Sequence, residues 1–248
     1  MNGKNERDFR IAVAGHSVAV HALHTRVFSL CKEYLTDLAP DMEISVTESD
    51  LESERQEAKK SRSPQQNDAY LETLAVYRKI SEKMLAYDTF LMHGAVVATG
   101  GNAYMFTAVS GTGKTTHIKK WLKYVDDAFV VNGDKPLIKI TDTQAIACGT
   151  PWCGKEGFGA NAMVPLKAIV MMERGEENVM EKISFSQAFL YLLQQTYRPA
   201  GADQMRKTLS LLSVLRDKVC FYRFRFNNLA DDAFSVSYQA LTGDHAGR

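Results

Sequence analysis

The sequence predicts an α/β (α+β) fold: a mixed, largely antiparallel sheet built around a glycine-rich strand-to-helix loop and flanked by helices, with a smaller α/β part at the amino-terminal end. Three observations predict it. Short apolar runs recur through the middle of the chain, at FLMHGAVVATG, NAYMFTAV, AFVV, PLIKIT and LKAIVMMER. Several of the gaps between them are too short for a parallel crossover. The stretch AVSGTGKT joins one of these strands directly to a helical pattern.

Taken in order, RIAVAG (10–15) and MEISVT (42–47) read as strands. Between them, the segment around VFSLCKEYLTDL suits an amphipathic helix. The polar stretch 48–68 carries many charges and a Ser-Pro, and reads as part helix, part loop. It is expected to join a region 1–68 to a core 69–248. From 69 to 87 a stripe of Tyr70, Leu74, Tyr77, Met84 and Tyr87 predicts a helix. TGGN (99–102) predicts a hairpin between its flanking strands. THIKKWLKYV should be a short helix. AFVV (128–131) and PLIKIT (136–141), only NGDK apart, should form an antiparallel pair. LKAIVMMER (166–174) reads as a buried strand. Ser184 and Gln187 suit a capping box opening FSQAFLYLLQQTY, whose nearly all-round apolar surface predicts burial. A helix over 202–217, the period-two strand CFYRFRF (220–226) and a last helix capped by Asp231 complete the chain. Arg223 and Arg225 share one face of that strand, read as solvated.

Composition narrows the function classes. The chain has 248 residues, 45% of them hydrophobic, enough for a sizeable core. A formal net charge of +1 argues against a general nucleic-acid binder. No long apolar run suits a membrane span, and MNGKNERDFR lacks the apolar centre of a signal peptide. Cys31, Cys148, Cys153 and Cys220 match no zinc spacing and read as free thiols of a cytoplasmic protein.

The loop AVSGTGKT (108–115) fits the phosphate-loop pattern, with Ala108 where glycine is commoner. Gly111 and Gly113 allow backbone N–H groups to turn toward phosphate oxygens. The following helix directs its positive end at the same anion. Ser110, Gly111, Thr112, Gly113, Lys114, Thr115 and Thr116 are therefore the candidate nucleotide-binding residues. Lys114 would contact the terminal phosphates and Thr115 would ligate magnesium.

Asp134 follows the strand AFVVNG. Read alone, it is either a carboxylate delivered to the terminal phosphate or a turn residue of NGDK. His93, before Gly94, could return beside the loop if the hairpin folds back, and orient Asp134 or a phosphate. GTPWCGKEGFGAN (149–161) holds four glycines in thirteen residues and reads as a mobile loop or lid. Within it Lys155 could stabilise developing charge, and Trp152 could stack on a base or pack the loop down.

The ordered set HGAVVATGGNAYMFTAVSGTGKTT, then AFVVNGD, resembles the HPr serine kinase family and its wider group with the phosphoenolpyruvate carboxykinases. The similarity covers residues 88–175. It implies an HPr-kinase-like core, with ATP (or another nucleoside triphosphate) held by Lys114 and the 110–116 backbone. Thr115 and Asp134 would hold Mg2+, and Asp134 would be the base with His93 beside it. The chain departs from the family at Gly133, where a second aspartate is usual, at Thr115-Thr116, and at 149–161.

The expected activity is thus that of an ATP-dependent P-loop kinase. Its acceptor would be a hydroxyl on a small metabolite or on a protein or peptide serine, with self-association left open. Residues 1–68 are expected to recognise the acceptor or a partner. The alternative is a nucleotide-binding switch or NTPase without an acceptor. A carboxykinase would need a second cluster of His, Lys and Asp ligands, which the sequence does not assemble.

Overall fold

A computed structural model describes residues 5–60, 66–109, 111–227 and 232–243. The expectations for Ser110 and Asp231 therefore lie outside the described residues. The chain divides into two compact units, residues 1–87 and 88–248.

The first unit carries a three-stranded sheet. β1 (Asp8–Val13) and β2 (His16–His21) form an antiparallel hairpin. Its tight turn sets both Ala14 and Gly15 at positive φ. β3 (Met42–Ser45) pairs parallel to β2. The connection holds the short helix α1 (Arg26–Leu30). The longer amphipathic helix expected here does not form, because Leu35 turns extended and bridges to Ile11 of β1. α2 (Glu48–Lys60) and α3 (Asp68–Met84) follow. Asn67 caps α3 by accepting from the Tyr70 N–H. Glu72 of α3 is fully buried, and its carboxylate accepts from the backbone N–H groups of Leu23 and His24. Such a buried anion is tolerated because these donors compensate for lost water. α3 packs on α1, α2 and β3, so the unit boundary follows this helix rather than falling at residue 68.

The second unit is a nine-stranded mixed sheet with helices. β4 (Thr89–Leu91), β5 (Ala95–Thr99) and β6 (Asn102–Thr107) come first. β5 and β6 form the expected hairpin, with Gly100 and Gly101 at positive φ in its turn. α4 (Lys114–Tyr124) follows the glycine-rich loop. β7 (Phe129–Asn132), β8 (Leu137–Ile140), β9 (Ala145–Cys148) and β10 (Met163–Arg174) complete the central sheet. β11 (Val179–Ile183), α5 (Phe185–Gln195), α6 (Ala202–Val214), β12 (Cys220–Phe226) and α7 (Ala233–Gly243) follow.

The central path runs β4-β8-β9-β10-β6-β5-β7, and β12 pairs with both β10 and β11. β10 is parallel to β6 and to β12; the remaining pairs in this sheet are antiparallel. The expected β7–β8 hairpin does not occur. β7 pairs with β5, whereas β8 pairs with β4 and β9. The residues between them therefore form a crossing from one part of the sheet to another.

The core explains why α4 is held firmly. Trp121 is fully buried among Tyr104, Phe106, Phe234 and Tyr238. His117, one turn earlier, hydrogen-bonds Ser237 of α7 at 3.0 Å. Burial holds the His117 imidazole neutral, with its pKa lowered to about 3, and the nearby Lys120 charge acts in the same direction. α5 opens with the expected capping box of Ser184 and Gln187. It is not buried all round: within it only Ala188 and Leu192 are buried, and Leu190 is 69% exposed. Among the described residues no helix is long and apolar enough to cross a membrane.

Candidate functional site

The site gathers at the carboxyl ends of β6 and β7. Gly111 and Gly113 have φ of 79° and 122°, a conformation that side chains resist. This lets the chain leave β6, tighten, and enter α4 at Lys114 within a few residues. The Thr112 hydroxyl donates to the Val109 carbonyl at 2.7 Å and braces the turn. α4 has no acidic residue in its first turn, so its positive end is left uncompensated. Thr115 and Thr116 are exposed in that turn.

The Lys114 ammonium donates to the Ala108 carbonyl at 2.7 Å. Burial lowers its pKa, and the charge of Asp134 pulls the other way. Asp134 is a turn residue, and its carboxylate meets His93 and Lys135.

Asn132 builds that turn. Its side-chain oxygen accepts from the Asp134 and Lys135 N–H groups at 2.8 and 2.7 Å. Its amide donates to the Thr150 hydroxyl and carbonyl at 2.9 and 3.1 Å. Both ends of this fully buried side chain are satisfied, which fixes the direction of Asp134.

His93 does come back to meet it. The ring Nε2 lies 3.1 Å from Asp134 Oδ1, and Nδ1 lies 3.0 Å from Gln195 Oε1 at the end of α5. The backbone is locked too: His93 N–H donates to the Gln195 carbonyl at 2.7 Å, and Gly94 N–H to the Asp134 carbonyl at 2.9 Å. Gly94 lies in close approach to β6: a Cβ there would lie 2.5 Å from Met105 Cε and 3.0 Å from the Phe106 carbonyl. Lys135 Nζ sits 2.8 Å from Asp134 Oδ2. Burial pushes the Asp134 pKa up, but the His93 hydrogen bond and the Lys135 charge more than offset it, holding the group at about 2.

The glycine-rich stretch 149–161 is packed against this turn. Ala160 N–H donates to the Val131 carbonyl at 3.2 Å, and Gly159 bridges to Asn132. Gly154 presents its backbone to Asp134: a Cβ there would lie 3.1 Å from Asp134 Cβ. Lys119 of α4 ties down the same stretch through Glu156 at 2.9 Å and the Phe158 ring. Trp152 is buried and packs the stretch down. Cys153 donates to the Thr150 carbonyl at 3.0 Å, and burial raises its thiol to about 11, so it is no nucleophile. Lys155 is exposed in a turn of this stretch and makes no hydrogen bond or ion pair with the described residues.

Of the residues expected from sequence, the structure pairs His93 with Asp134 and places Lys114, Thr115 and Thr116 at the start of α4 after the glycine loop. The sequence reading missed Asn132, Lys135 and Gln195. Asn132 was legible only as a turn former, and Gln195 carries no local signal. Magnesium is compatible with the residues present. Among the described residues no cluster of three or more His, Cys, Asp or Glu could hold a metal alone. Magnesium binds through one or two carboxylates together with phosphates and waters, so ionised Asp134 and the Thr115 hydroxyl suit it.

No family model matches the chain. No curated protein matches it in sequence. Among solved structures it is similar to the HPr(Ser) kinase/phosphatase from Coxiella burnetii, at 11% identity and a TM-score of 0.38. That match covers 63% of this chain and 90% of the other. The likeness is weak, and the reading of the site rests on its own geometry.

Proposed function

We propose that the protein is an ATP-dependent phosphotransferase acting on a hydroxyl acceptor. One observation carries this reading: a carboxylate paired with a histidine at 3.1 Å stands at the end of β7, in the same sheet whose β6 leads into a glycine loop and the lysine that opens α4. Lys114 and the loop backbone bind the polyphosphate. Magnesium, held by Thr115, Asp134 and the phosphates, supplies charge neutralisation when bound. Asp134 accepts the acceptor's proton. A carboxylate held near 2 is a weak base. It suffices where the transition state is loose, because the proton then leaves late, after the bond to the donor is largely broken. His93, fixed by Gln195, orients the carboxylate. Lys155, on the stretch that packs against Asp134, supplies a further cation to the terminal phosphate.

The test is ADP release from Mg-ATP by the full chain against hydroxyl metabolites and serine peptides, with mass detection of the phosphorylated acceptor. Acceptor-dependent release supports the reading. Release with no acceptor dependence favours an NTPase or switch, and absence of nucleotide binding overturns both.

A further inference from the structure

The loop has a second cationic neighbour, from the strand on the other side of β6. β10 runs parallel to β6, with Met171 opposite Thr107, so its last residues arrive where the loop begins. Side chains alternate along a strand, so Glu173 and Arg174 point to opposite faces. Glu173 lies 3.6 Å from Arg223 on β12. Arg174 instead turns to the loop, where its Nη2 donates to the Gly111 carbonyl at 2.9 Å.

That contact leaves much of the guanidinium free. A carbonyl is neutral, so the positive charge is undiminished, and one of five N–H donors is used. Among the described residues Arg174 makes no ion pair, and its side chain is exposed to an incoming ligand. Tyr191 of α5 flanks the same loop. Its buried hydroxyl lies beside the Val109 backbone without completing a hydrogen bond. Burial, with the Glu173 charge, pushes that phenol up to about 12, so it stays a proton donor. Tyr191 stands one turn before Gln195, the residue that holds His93. The loop is thus bracketed by His93 and Asp134 from the β5–β7 side and by Arg174 from the β10 side.

We propose that Arg174 is a catalytic residue that contacts the terminal phosphate and stabilises the charge it gains during transfer, a role that rests on the phosphotransferase reading above. In the step, the acceptor oxygen bonds to the terminal phosphorus as the bond from that phosphorus to the bridging oxygen breaks. The bond's electron pair stays on the departing diphosphate, and the acceptor proton goes to Asp134. A planar guanidinium can hold two phosphate oxygens at once, which an ammonium cannot.

The experiment measures Mg-ATP and Mg-ADP binding by calorimetry, and turnover, for the wild type, Arg174→Ala and Arg174→Gln. Glutamine keeps a donor for the Gly111 carbonyl but carries no charge, so it separates loop bracing from phosphate contact. Both variants should weaken ATP about tenfold and ADP far less, and lower kcat by about 10²-fold. Added guanidinium ion should restore part of the loss in Arg174→Ala. Equal losses for ATP and ADP, or normal ATP affinity in both variants, would overturn the role of Arg174 while leaving the phosphotransferase reading intact. A wild-type chain that binds neither nucleotide overturns both.

Discussion

Replacing Asp134 with asparagine keeps the side chain's shape and removes its charge, so its effects can be worked from the site. The carboxyl falls from 3.8 to about 2 in the folded protein. At roughly 1.4 kcal/mol per pKa unit, that shift makes the ionised group worth about 2 kcal/mol to the fold. Asparagine retains some hydrogen bonding to His93 and Lys135, so the expected loss near pH 7 is about 1–2 kcal/mol. For a protein of this size that is a fall in Tm of roughly 2–8 °C. The sign of the pH dependence follows. The folded pKa lies below the unfolded one, so the contribution is full above about 4 and disappears as pH falls through 3.8 toward 2. Wild type and variant should therefore converge in acid. Turnover should fall by about 10²–10⁴-fold as the base is lost, with ATP affinity changed only a few-fold. Urea unfolding at neutral and acidic pH, nucleotide titration and coupled ADP release measure each part. A variant with wild-type kcat refutes the assignment of the base, and a stability gap that widens in acid refutes the electrostatic account.

Gly154→Ala should cost about 1–2 kcal/mol, because Gly154 sits at φ 79°. It should also lower kcat, since the new Cβ would press on Asp134; Gly157→Ala, at φ 67° with open space around it, should share the strain but keep its turnover. Thermal melts and ADP release separate the two. The buried, neutral His117 should make stability fall with pH from about 6.5 toward 3, because unfolding there takes up a proton, at roughly 1.4 kcal/mol per pH unit. His117→Leu should flatten that slope in urea titrations. Lys155→Ala should leave stability within about 0.5 kcal/mol. Its kcat should drop about tenfold by the same ADP assay, and an unchanged kcat removes Lys155 from the phosphate site.

Much of the fold was legible because its signals are local. The hairpin at Gly100-Gly101, the capping box at Ser184 and the period-two run at Cys220–Phe226 each announce themselves within a few residues. The glycine loop and Lys114 were legible for the same reason. What failed was pairing at a distance. The gap between β7 and β8 suggested a hairpin, but Asn132 spends its hydrogen bonds on Thr150 and on the Asp134 turn, and each strand finds another partner. Gln195 and Arg174 were hidden likewise. Their relation to His93 and to Gly111 exists only once α5 and β10 are in place.

The glycines of 149–161 show how one composition supports two opposite readings. Read alone, four glycines suggest mobility. In place, Gly149 admits no side chain because a Cβ would lie 1.8 Å from the Ala160 carbonyl, and at Gly159 it would lie 2.2 Å from Cys153 Sγ. Across the contact, a Cβ at Gly133 would lie 2.8 Å from the Cys153 carbonyl. Gly149 and Gly133 are small because backbone packs on backbone, and Gly159 because the Cys153 side chain lies against it. Moving the stretch away as a lid would strand Asn132, whose buried amide has its partners at Thr150, and would unseat the turn that aims Asp134. Leaving such a buried group unpaired costs about 1–3 kcal/mol before any packing is lost. Thr150, Gly159 and Ala160 are therefore part of the wall of the site. This packing also accounts for Gly133: any side chain there would collide with the backbone of Cys153 and Phe158, so the acid of this turn stands one residue later, at Asp134.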